Sequence, residues 1–199
     1  MEIGIKILND IICRFSKRYP LINLDVILTN DLIDIVKEGY DVAIRGGALK
    51  DSNLICRKIM STKLHLCASP DYLAKHGVPG HPDELADHTL ISFPYPSPWA
   101  LRLSRGDESV DLQAQVKFRT NSLDLVLKGA WKGLGIGVLP SSVCSTDVKA
   151  GRLVVLLENW RAFDIGLYAL FQDRKTPKKV DLFLDFLARE LADIEQTFI

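Results

Sequence analysis

Apolar residues recur every three or four positions at both ends of this chain. The first such series runs from Ile5 to Tyr19 and marks one face of an amphipathic helix, which Pro20 should end. The second series runs from Val180 to Ile194 and predicts a long amphipathic helix close to the end of the chain. Between these helices, short apolar runs alternate with turn residues.

The segments after the first helix predict a strand, a helix and a second strand. NLDVILT (23–29) alternates and is rich in β-branched residues, which is typical of a strand. LIDIVKE (32–38) predicts a helix that Gly39 ends, and YDVAIR (40–45) predicts another strand. Strand, helix and strand joined by short links favour a βαβ unit and therefore a parallel sheet.

The rest of the chain predicts a mixture of strands and helices. Strands are expected at 63–69, 89–93, 153–157 and 164–172, and helices at 70–77, 81–88, 123–132 and 141–151. Two β-like runs around Arg105–Glu108 predict a hairpin. The fold class is therefore α/β, and the order of elements allows a second lobe inserted into the first, with crossing strands at 64–69 and 165–171.

The stretch KGLGIGVLP (132–140) is dense in glycine and follows a predicted helix. A dinucleotide-binding loop has the opposite order, with its glycines between a strand and a helix, and a phosphate loop needs a Lys-Ser or Lys-Thr that is absent here. Gly133 has the position of a left-handed helix C-cap. Capping does not account for Gly135 and Gly137, which could let the backbone approach another group closely.

Five segments, in this order, resemble the effector-binding domain of LysR-type transcriptional regulators. They are RYPLINLDVILTND (18–31), DLIDIVKEGYDVAIRGG (31–47), LHLCASPDYLAKHG (64–77), PDELADHTLISF (82–93) and RTNSLDLVLKGAWKGLGIGVLP (119–140). The resemblance covers nearly the whole chain. It implies a two-lobed periplasmic-binding-protein-like fold of type 2, with two Rossmann-like subdomains joined by hinge strands.

The resemblance also implies the domain organisation and the place of the ligand. Residues 1–65 and 171–199 would form lobe I, and residues 66–170 would form lobe II. A small-molecule effector would bind between the lobes. The strand with Gly135, Gly137, Leu139 and Pro140, and the loop from Phe93 to Trp99, would then lie near this cleft. The domains would pair as dimers or tetramers through helix-to-strand contacts.

Two departures from the family pattern affect these expectations. Family members carry an N-terminal winged helix-turn-helix domain and a linker helix, which are absent from this chain, so DNA would be bound only through a domain that is not present here. The family's effector domain also opens with a strand before its first helix, whereas only four residues precede the apolar face here. We therefore expect the first lobe to lack that strand and the ligand contacts at its end.

The ends of predicted strands supply the candidate ligand-binding residues, because ligands of open α/β sheets bind beyond the carboxyl ends of strands. The first group is Thr29 and Asn30, whose side chains could bind a ligand or could cap the following helix. The second is Arg45 with Gly46 and Gly47. Its guanidinium could hold a carboxylate in two hydrogen bonds.

The alternatives for Arg45 are exposure to solvent or pairing with Asp41. A third group, Thr120, Asn121 and Ser122, precedes a predicted helix and could form an anion site or could serve only as a cap. In the loop ending at Trp99, the indole could shield a ligand or cover the core.

Charge and composition narrow the function. Lys and Arg number 25, as do Asp and Glu, so the net charge is zero, which argues against a domain that binds DNA by itself. There is no signal peptide and no apolar run long enough for a membrane span, so we expect a cytoplasmic protein that does not contact the membrane. The four cysteines lie mostly in apolar runs and predict buried reduced thiols.

No arrangement of residues predicts catalysis, a cofactor or a metal. Ser141 and Ser142 lack a nucleophile-elbow motif, and His76, His81 and His88 are spaced as solvated loop and helix-end residues rather than as ligands. The resemblance therefore implies an effector-sensing domain that binds a small anionic metabolite. The alternatives are a stand-alone solute-binding protein, which would be exported, and an enzyme of the same fold.

Overall fold

The computed structural model describes residues 2–29, 33–46, 53–92, 101–112, 114–162, 164–172 and 177–195. The chain divides into two compact units. Unit 1 comprises Met1–Ser61 and Ile165–Phe198, and unit 2 comprises Thr62–Asp164. The lobe boundaries expected from the sequence, 65/66 and 170/171, lie a few residues further along the chain, and the assignment of lobes to them stays a prediction.

In chain order the helices and strands are α1 (Glu2–Arg18), β1 (Ala43–Gly46), β2 (Ile55–Thr62), β3 (Leu64–Ala68), α2 (Pro70–His76), a 3₁₀ helix (Pro82–Asp87), β4 (Thr89–Ser92), β5 (Arg102–Arg105), β6 (Glu108–Asp111), β7 (Gln115–Arg119), α3 (Leu123–Trp131), β8 (Ile136–Pro140), α4 (Ser141–Lys149), β9 (Val154–Leu156), β10 (Ile165–Phe171) and α5 (Lys178–Glu195).

Unit 1 packs its two long helices together beside a three-stranded sheet in the order β1-β10-β2. The face of α1 that the sequence predicts supplies Ile11 and Phe15, both fully buried, and α5 supplies Leu187 and Leu191. The Phe15 ring meets the Phe183 ring edge-on with centroids 5.1 Å apart. β1 runs antiparallel to β10, with Ile44 opposite Ala169.

The predicted βαβ unit is wrong over the described residues. Residues 23–29 belong to no strand, and the described part of 32–38 is a turn rather than a helix. The Asp34 carboxylate accepts hydrogen bonds from the amides of Val36 and Lys37, at 3.1 and 3.2 Å. A side chain that binds nearby backbone amides in this way favours a turn over a helix. Gly39, at φ 76°, still has the predicted left-handed conformation.

The predicted strand at 23–29 does not form for a different reason. A strand needs a neighbouring strand to complete its backbone hydrogen bonds. Within the described residues β1 pairs with β10 alone, and 23–29 pairs with no strand. The side chains of Val26, Ile27 and Leu28 are about half exposed as a result. The sequence pattern also does not predict β2, where Arg57 and Lys58 interrupt the apolar alternation.

Unit 2 is built on a five-stranded sheet in the order β7-β4-β8-β3-β9. β4 is parallel to β7 and to β8, whereas β3 is antiparallel to β8 and β9. The predicted hairpin is β5 and β6, which form a separate two-stranded sheet. Its Leu103 joins Leu85, Leu90 and Ile136 in one core, and all four are at most 2% exposed.

Candidate functional site

The candidate site lies at one edge of the unit 2 sheet. Because β4, β7 and β8 are mutually parallel, their carboxyl ends come to the same edge. β3 starts there too, since Leu64 lies opposite Pro140. α3 follows β7 after three residues, and α4 follows β8 directly, so two helices begin at this edge. Amide groups and the positive ends of helix dipoles favour anions at such a place.

The segment Thr120–Ser122 joins β7 to α3 at this edge and uses its hydroxyl groups for capping. The Ser122 amide donates to Thr120 Oγ1 at 3.1 Å, and the Leu125 amide donates to Ser122 Oγ at 3.2 Å. Asn121, between them, is exposed. Asp124 adds a carboxylate in the first turn of α3, held by Lys128 Nζ at 2.5 Å. The N-cap prediction for this segment is confirmed, and its role toward a ligand stays a prediction.

The start of α4 has a different structure. Its N-cap is Pro140, which offers no side-chain hydrogen bond. The Ser141 amide donates to the Lys63 carbonyl at 2.8 Å, and the Ser142 amide donates to Thr62 Oγ1 at 3.4 Å. The Ser142 hydroxyl is buried and contacts no polar partner among the described residues. The first turn of α4 therefore binds the segment at which the chain passes from unit 1 to unit 2.

The sequence did not indicate which residues lie around Ser141. His65 Nε2 lies 2.8 Å from Ser141 Oγ, and Ser145 Oγ donates to the Ser141 carbonyl at 2.5 Å. Thr62 and Ser141 are 6% and 2% exposed. Only the antiparallel pairing of β3 with β8 brings these positions together, and no short motif encodes that pairing.

The glycines of 132–140 are accounted for by neighbouring chain. Gly133 has φ 71°, which confirms the predicted left-handed cap. A Cβ at Gly135 would lie 2.5 Å from the Thr89 carbonyl oxygen, and a Cβ at Gly137 would lie 3.1 Å from Ala130 Cβ of α3. Gly135 therefore lets the chain approach β4 closely, and Gly137 lets β8 approach α3, while contact of either glycine with a ligand stays a prediction.

The other predicted residues of the β8 segment are buried. Leu139 is fully buried and pairs with His65, and Pro140 is buried at the start of α4. Their contribution to a site at this edge is therefore one of shape and backbone position.

The predicted residues of unit 1 lie at the ends of their segments. Arg45 and Gly46 end β1, where Arg45 lies opposite Tyr168 and Gly46 opposite Leu167. Thr29 is the last residue of the segment 23–29. The Asp41 carboxylate contacts Lys179 Nζ at 2.6 Å. The remaining predicted residues Asn30, Gly47, Phe93 and Trp99 lie outside the described residues.

Two predictions about titratable residues need correction. His88 is 5% exposed rather than solvated, and its Nδ1 lies 3.2 Å from Tyr72 Oη. Burial, followed by the charge of His76, lowers the pKa of His88. Cys67 and Cys144 are buried as predicted, but Cys13 and Cys56 are exposed. The hydrogen bond that the Cys67 thiol makes to Cys144, followed by burial, raises the pKa of Cys67.

No metal-binding group of three or more His, Cys, Asp or Glu occurs among the residues that the structure describes. Nor does any described helix combine the length and apolar character needed to cross a membrane.

Comparison with known proteins gives consistent results. A family described as LysR substrate binding domain matches residues 1–192. The HTH-type transcriptional regulator CrgA of Neisseria meningitidis is 29% identical over 201 residues, which cover 97% of this chain and 65% of CrgA. The chain thus spans a little under two thirds of this relative's length. The relatives are named as transcriptional regulators, which are not enzymes.

Solved structures show the same similarity. The regulatory domain of CrgA from Neisseria meningitidis superposes with a TM-score of 0.82 at 28% identity, and the match covers 96% of this chain and 95% of that domain. The full-length virulence activator AphB of Vibrio cholerae gives a TM-score of 0.81 at 30% identity, covering 94% of this chain and 64% of AphB. The predicted fold class, the α/β fold of LysR regulatory domains, is therefore confirmed.

Proposed function

Because this chain belongs to the family of LysR substrate-binding domains, we propose that it senses a small anionic metabolite for a LysR-type transcriptional regulator. The observation that carries this proposal is the edge of the unit 2 sheet, where three parallel strands end and two helices begin. Such an edge is where open α/β sheets bind ligands. Effector binding would change transcription through the oligomer.

The helix starts favour an anion over a cation at this edge. Backbone amides of the first turn and the helix dipole both attract negative charge. Thr120, Asn121 and Ser122 would supply side-chain contacts. The Asp124 carboxylate opposes an anion, but Lys128 offsets its charge. We therefore expect a ligand with one carboxylate rather than a highly charged one.

Unit 1 would complete the site from the other lobe. Arg45, at the end of β1, would hold a carboxylate in two hydrogen bonds, and Gly46 and Gly47 would leave room for it. Thr29 and Asn30 would add polar contacts, and Phe93 and Trp99 would cover the ligand. A ligand that binds both lobes stabilises one arrangement of them only if its affinity differs between arrangements.

Exposed apolar residues on both units support self-association into dimers or tetramers. Unit 1 exposes the run from Leu21 to Leu28, and unit 2 exposes Leu125, Trp131 and Leu134 on and after α3. Apolar surface of this kind, on a helix in one copy and on the segment between Leu21 and Leu28 in the other, would support contact between copies. DNA would be bound only through the domain that precedes this one in full-length relatives, in the cytoplasm.

A thermal-shift screen against small carboxylates, aromatic acids and amino acids tests the proposal. A ligand at 100 times its Kd adds about 2.7 kcal/mol, which is roughly 5–10 °C for a chain of this size. We expect a carboxylate to raise Tm by this amount. We also expect Arg45→Ala and Asn121→Ala each to reduce the rise by more than half, whereas the matched surface variants Arg18→Ala and Asn159→Ala leave it unchanged.

Three outcomes would contradict the proposal. A rise that survives both site variants would place the ligand elsewhere. Turnover of the bound compound would identify an enzyme. A gene that continues upstream into an export signal, rather than a helix-turn-helix domain in the same reading frame, would identify a solute-binding protein instead.

A further inference from the structure

An aromatic ring of β10 lies along the strand itself. Gly166 and Tyr168 are two residues apart, so their side-chain positions are on one face of the unit 1 sheet. A Cβ atom added at Gly166 would overlap Cε2, Cζ and Oη of Tyr168. The end of the phenol ring therefore covers Gly166, which is buried, and the Tyr168 hydroxyl lies toward the beginning of β10.

The Tyr168 ring shares its face of the sheet with Arg45. Ile44 of β1 and Leu167 of β10 pack in the cluster that α1 and α5 form. Because successive residues of a strand alternate, Arg45 and Tyr168 belong to the opposite face. These two residues are also directly opposite each other in the antiparallel pair of β1 with β10. Such a pair has its Cβ atoms about 4.5–5.5 Å apart.

Both side chains are placed at one edge of the unit 1 sheet. β1 ends at Gly46, which pairs with Leu167, so Arg45 is next to the carboxyl end of its strand. The Tyr168 ring runs toward the same end of the sheet, and both side chains are partly exposed. A guanidinium and a phenol hydroxyl thus belong to the kind of strand end at which open α/β sheets bind ligands.

The charge on this face of the sheet favours an anion. Ile55 and Ile59 of β2 pack with the apolar residues of α5. Lys58 alternates with them, so it belongs to the face of Arg45, and it is exposed. Two cationic side chains and the Tyr168 hydroxyl attract a carboxylate and repel an ammonium group.

We propose that Tyr168 binds the ligand together with Arg45, as a clamp for a single carboxylate group. The guanidinium donates two hydrogen bonds and the phenol hydroxyl donates a third, to a group with about four acceptor positions. This inference rests on the proposed function, in which Arg45 holds the carboxylate of the effector. It adds a ligand-binding residue and assigns the ligand to the monocarboxylates. Gly166 keeps the hydroxyl in place, because any side chain there would displace it.

The test is an NMR titration of the ¹⁵N-labelled chain with benzoate, and with benzamide as the uncharged control. We expect benzoate to give saturable amide shifts in 44–46 and 165–168, and benzamide to give none. Tyr168→Phe should weaken benzoate about five- to tenfold, because a hydrogen bond to a charged group is lost while the ring remains. Tyr19→Phe is the matched control, since that ring packs against Phe15 in the cluster of α1 and α5. It should leave the affinity unchanged.

Gly166→Ala tests the position of the hydroxyl. The displaced atoms are the end of a side chain that can swing aside, so we expect the variant to fold and to bind benzoate as weakly as Tyr168→Phe. The double variant should bind no more weakly than either single variant, because both remove the same contact. Urea midpoints of Tyr168→Phe and the parent chain should agree, so that lost affinity reports the ligand contact rather than unfolding.

The outcomes separate this inference from the proposed function. Unchanged benzoate affinity in Tyr168→Phe, with Arg45→Ala still lowering it, would overturn the clamp and leave the proposed function standing. Saturable shifts confined to 120–122, or equal binding of benzamide, would also overturn the clamp alone. No saturable shift in either unit would overturn both.

Discussion

Unit 1 and unit 2 differ most in how completely their strands are paired. Unit 2 combines parallel and antiparallel pairs in five strands, and Tyr72 and Leu73 of α2 pack with the sheet residues in one core. The described part of unit 1 has three strands, and the apolar residues between Leu21 and Leu28 belong to none of them. Leu21, Leu24, Val26, Ile27 and Leu28 are 38–96% exposed. Strand-forming residues therefore make a strand only where a neighbour satisfies their backbone and covers one face.

The reactivity of the cysteine thiols is the most sensitive test of this difference between the two units. Cys13 and Cys56 of unit 1 are exposed, whereas Cys67 and Cys144 of unit 2 are fully buried and the pKa of Cys67 is raised. We expect a thiol reagent to modify the first two within minutes, and the other two at least about a thousandfold more slowly, because they react only after unfolding. Mass spectrometry of the labelled peptides measures both rates. Similar rates for all four thiols would mean that unit 2 is no better packed than unit 1.

Two leucine-to-alanine substitutions test the same difference between the units through the free energy of unfolding. Leu90→Ala in β4, where the side chain is 1% exposed, should lower the free energy of unfolding by about 3 kcal/mol. Leu28→Ala, where the side chain is 53% exposed, should change it by less than about 0.5 kcal/mol. Urea unfolding followed by circular dichroism and by the fluorescence of Trp131 and Trp160 measures both. A cost above 1 kcal/mol for Leu28→Ala would show that the run is packed.

The close approach of β8 to β4 can be tested by adding a single side-chain carbon atom. Gly135→Ala should destabilise the chain by about 2 kcal/mol, because its Cβ would lie 2.5 Å from a backbone oxygen that cannot move aside. Gly80→Ala is the matched control, since its nearest neighbour would be the end of the Glu84 side chain at 3.8 Å. It should be neutral or stabilise by up to about 1 kcal/mol. Equal stabilities of the two variants would contradict the close contact.

Lowering the pH should destabilise unit 2, which contains all four histidines. His88 is surrounded by Tyr72, His76, Asp87 and Glu84, and burial lowers its pKa. The unfolded chain therefore binds a proton more readily below about pH 6.5, and stability falls as pH falls through that value toward the folded pKa.

The expected slope from His88 is at most about 1.4 kcal/mol per pH unit. His88→Gln should flatten it while keeping a polar partner for Tyr72. Urea midpoints between pH 7.5 and 5 measure the effect. An unchanged slope in the variant would exclude His88 as its source.

Local signals account for what could be predicted. The Ser122 cap, the left-handed Gly133 and the hairpin around Gly106 each depend on a few consecutive residues, and unit 2 follows them closely. Thr120–Ser122 could be placed at the site for the same reason, because a strand end and a cap adjoin there. The contact of Thr62 and Lys63 with α4 depends on pairing between distant strands, which no local pattern reveals.

The segment 23–29 also determines where a protease can cleave the chain. A protease binds its substrate as an extended strand, and residues 23–29 belong to no strand of their own. Thermolysin, which cleaves before bulky apolar residues, would meet Leu24, Val26 and Ile27 exposed. Cleavage there leaves α1 on the body of unit 1, because Ile11 and Phe15 stay buried against α5. A nicked chain would therefore migrate as one particle on a sizing column and as two fragments in denaturant.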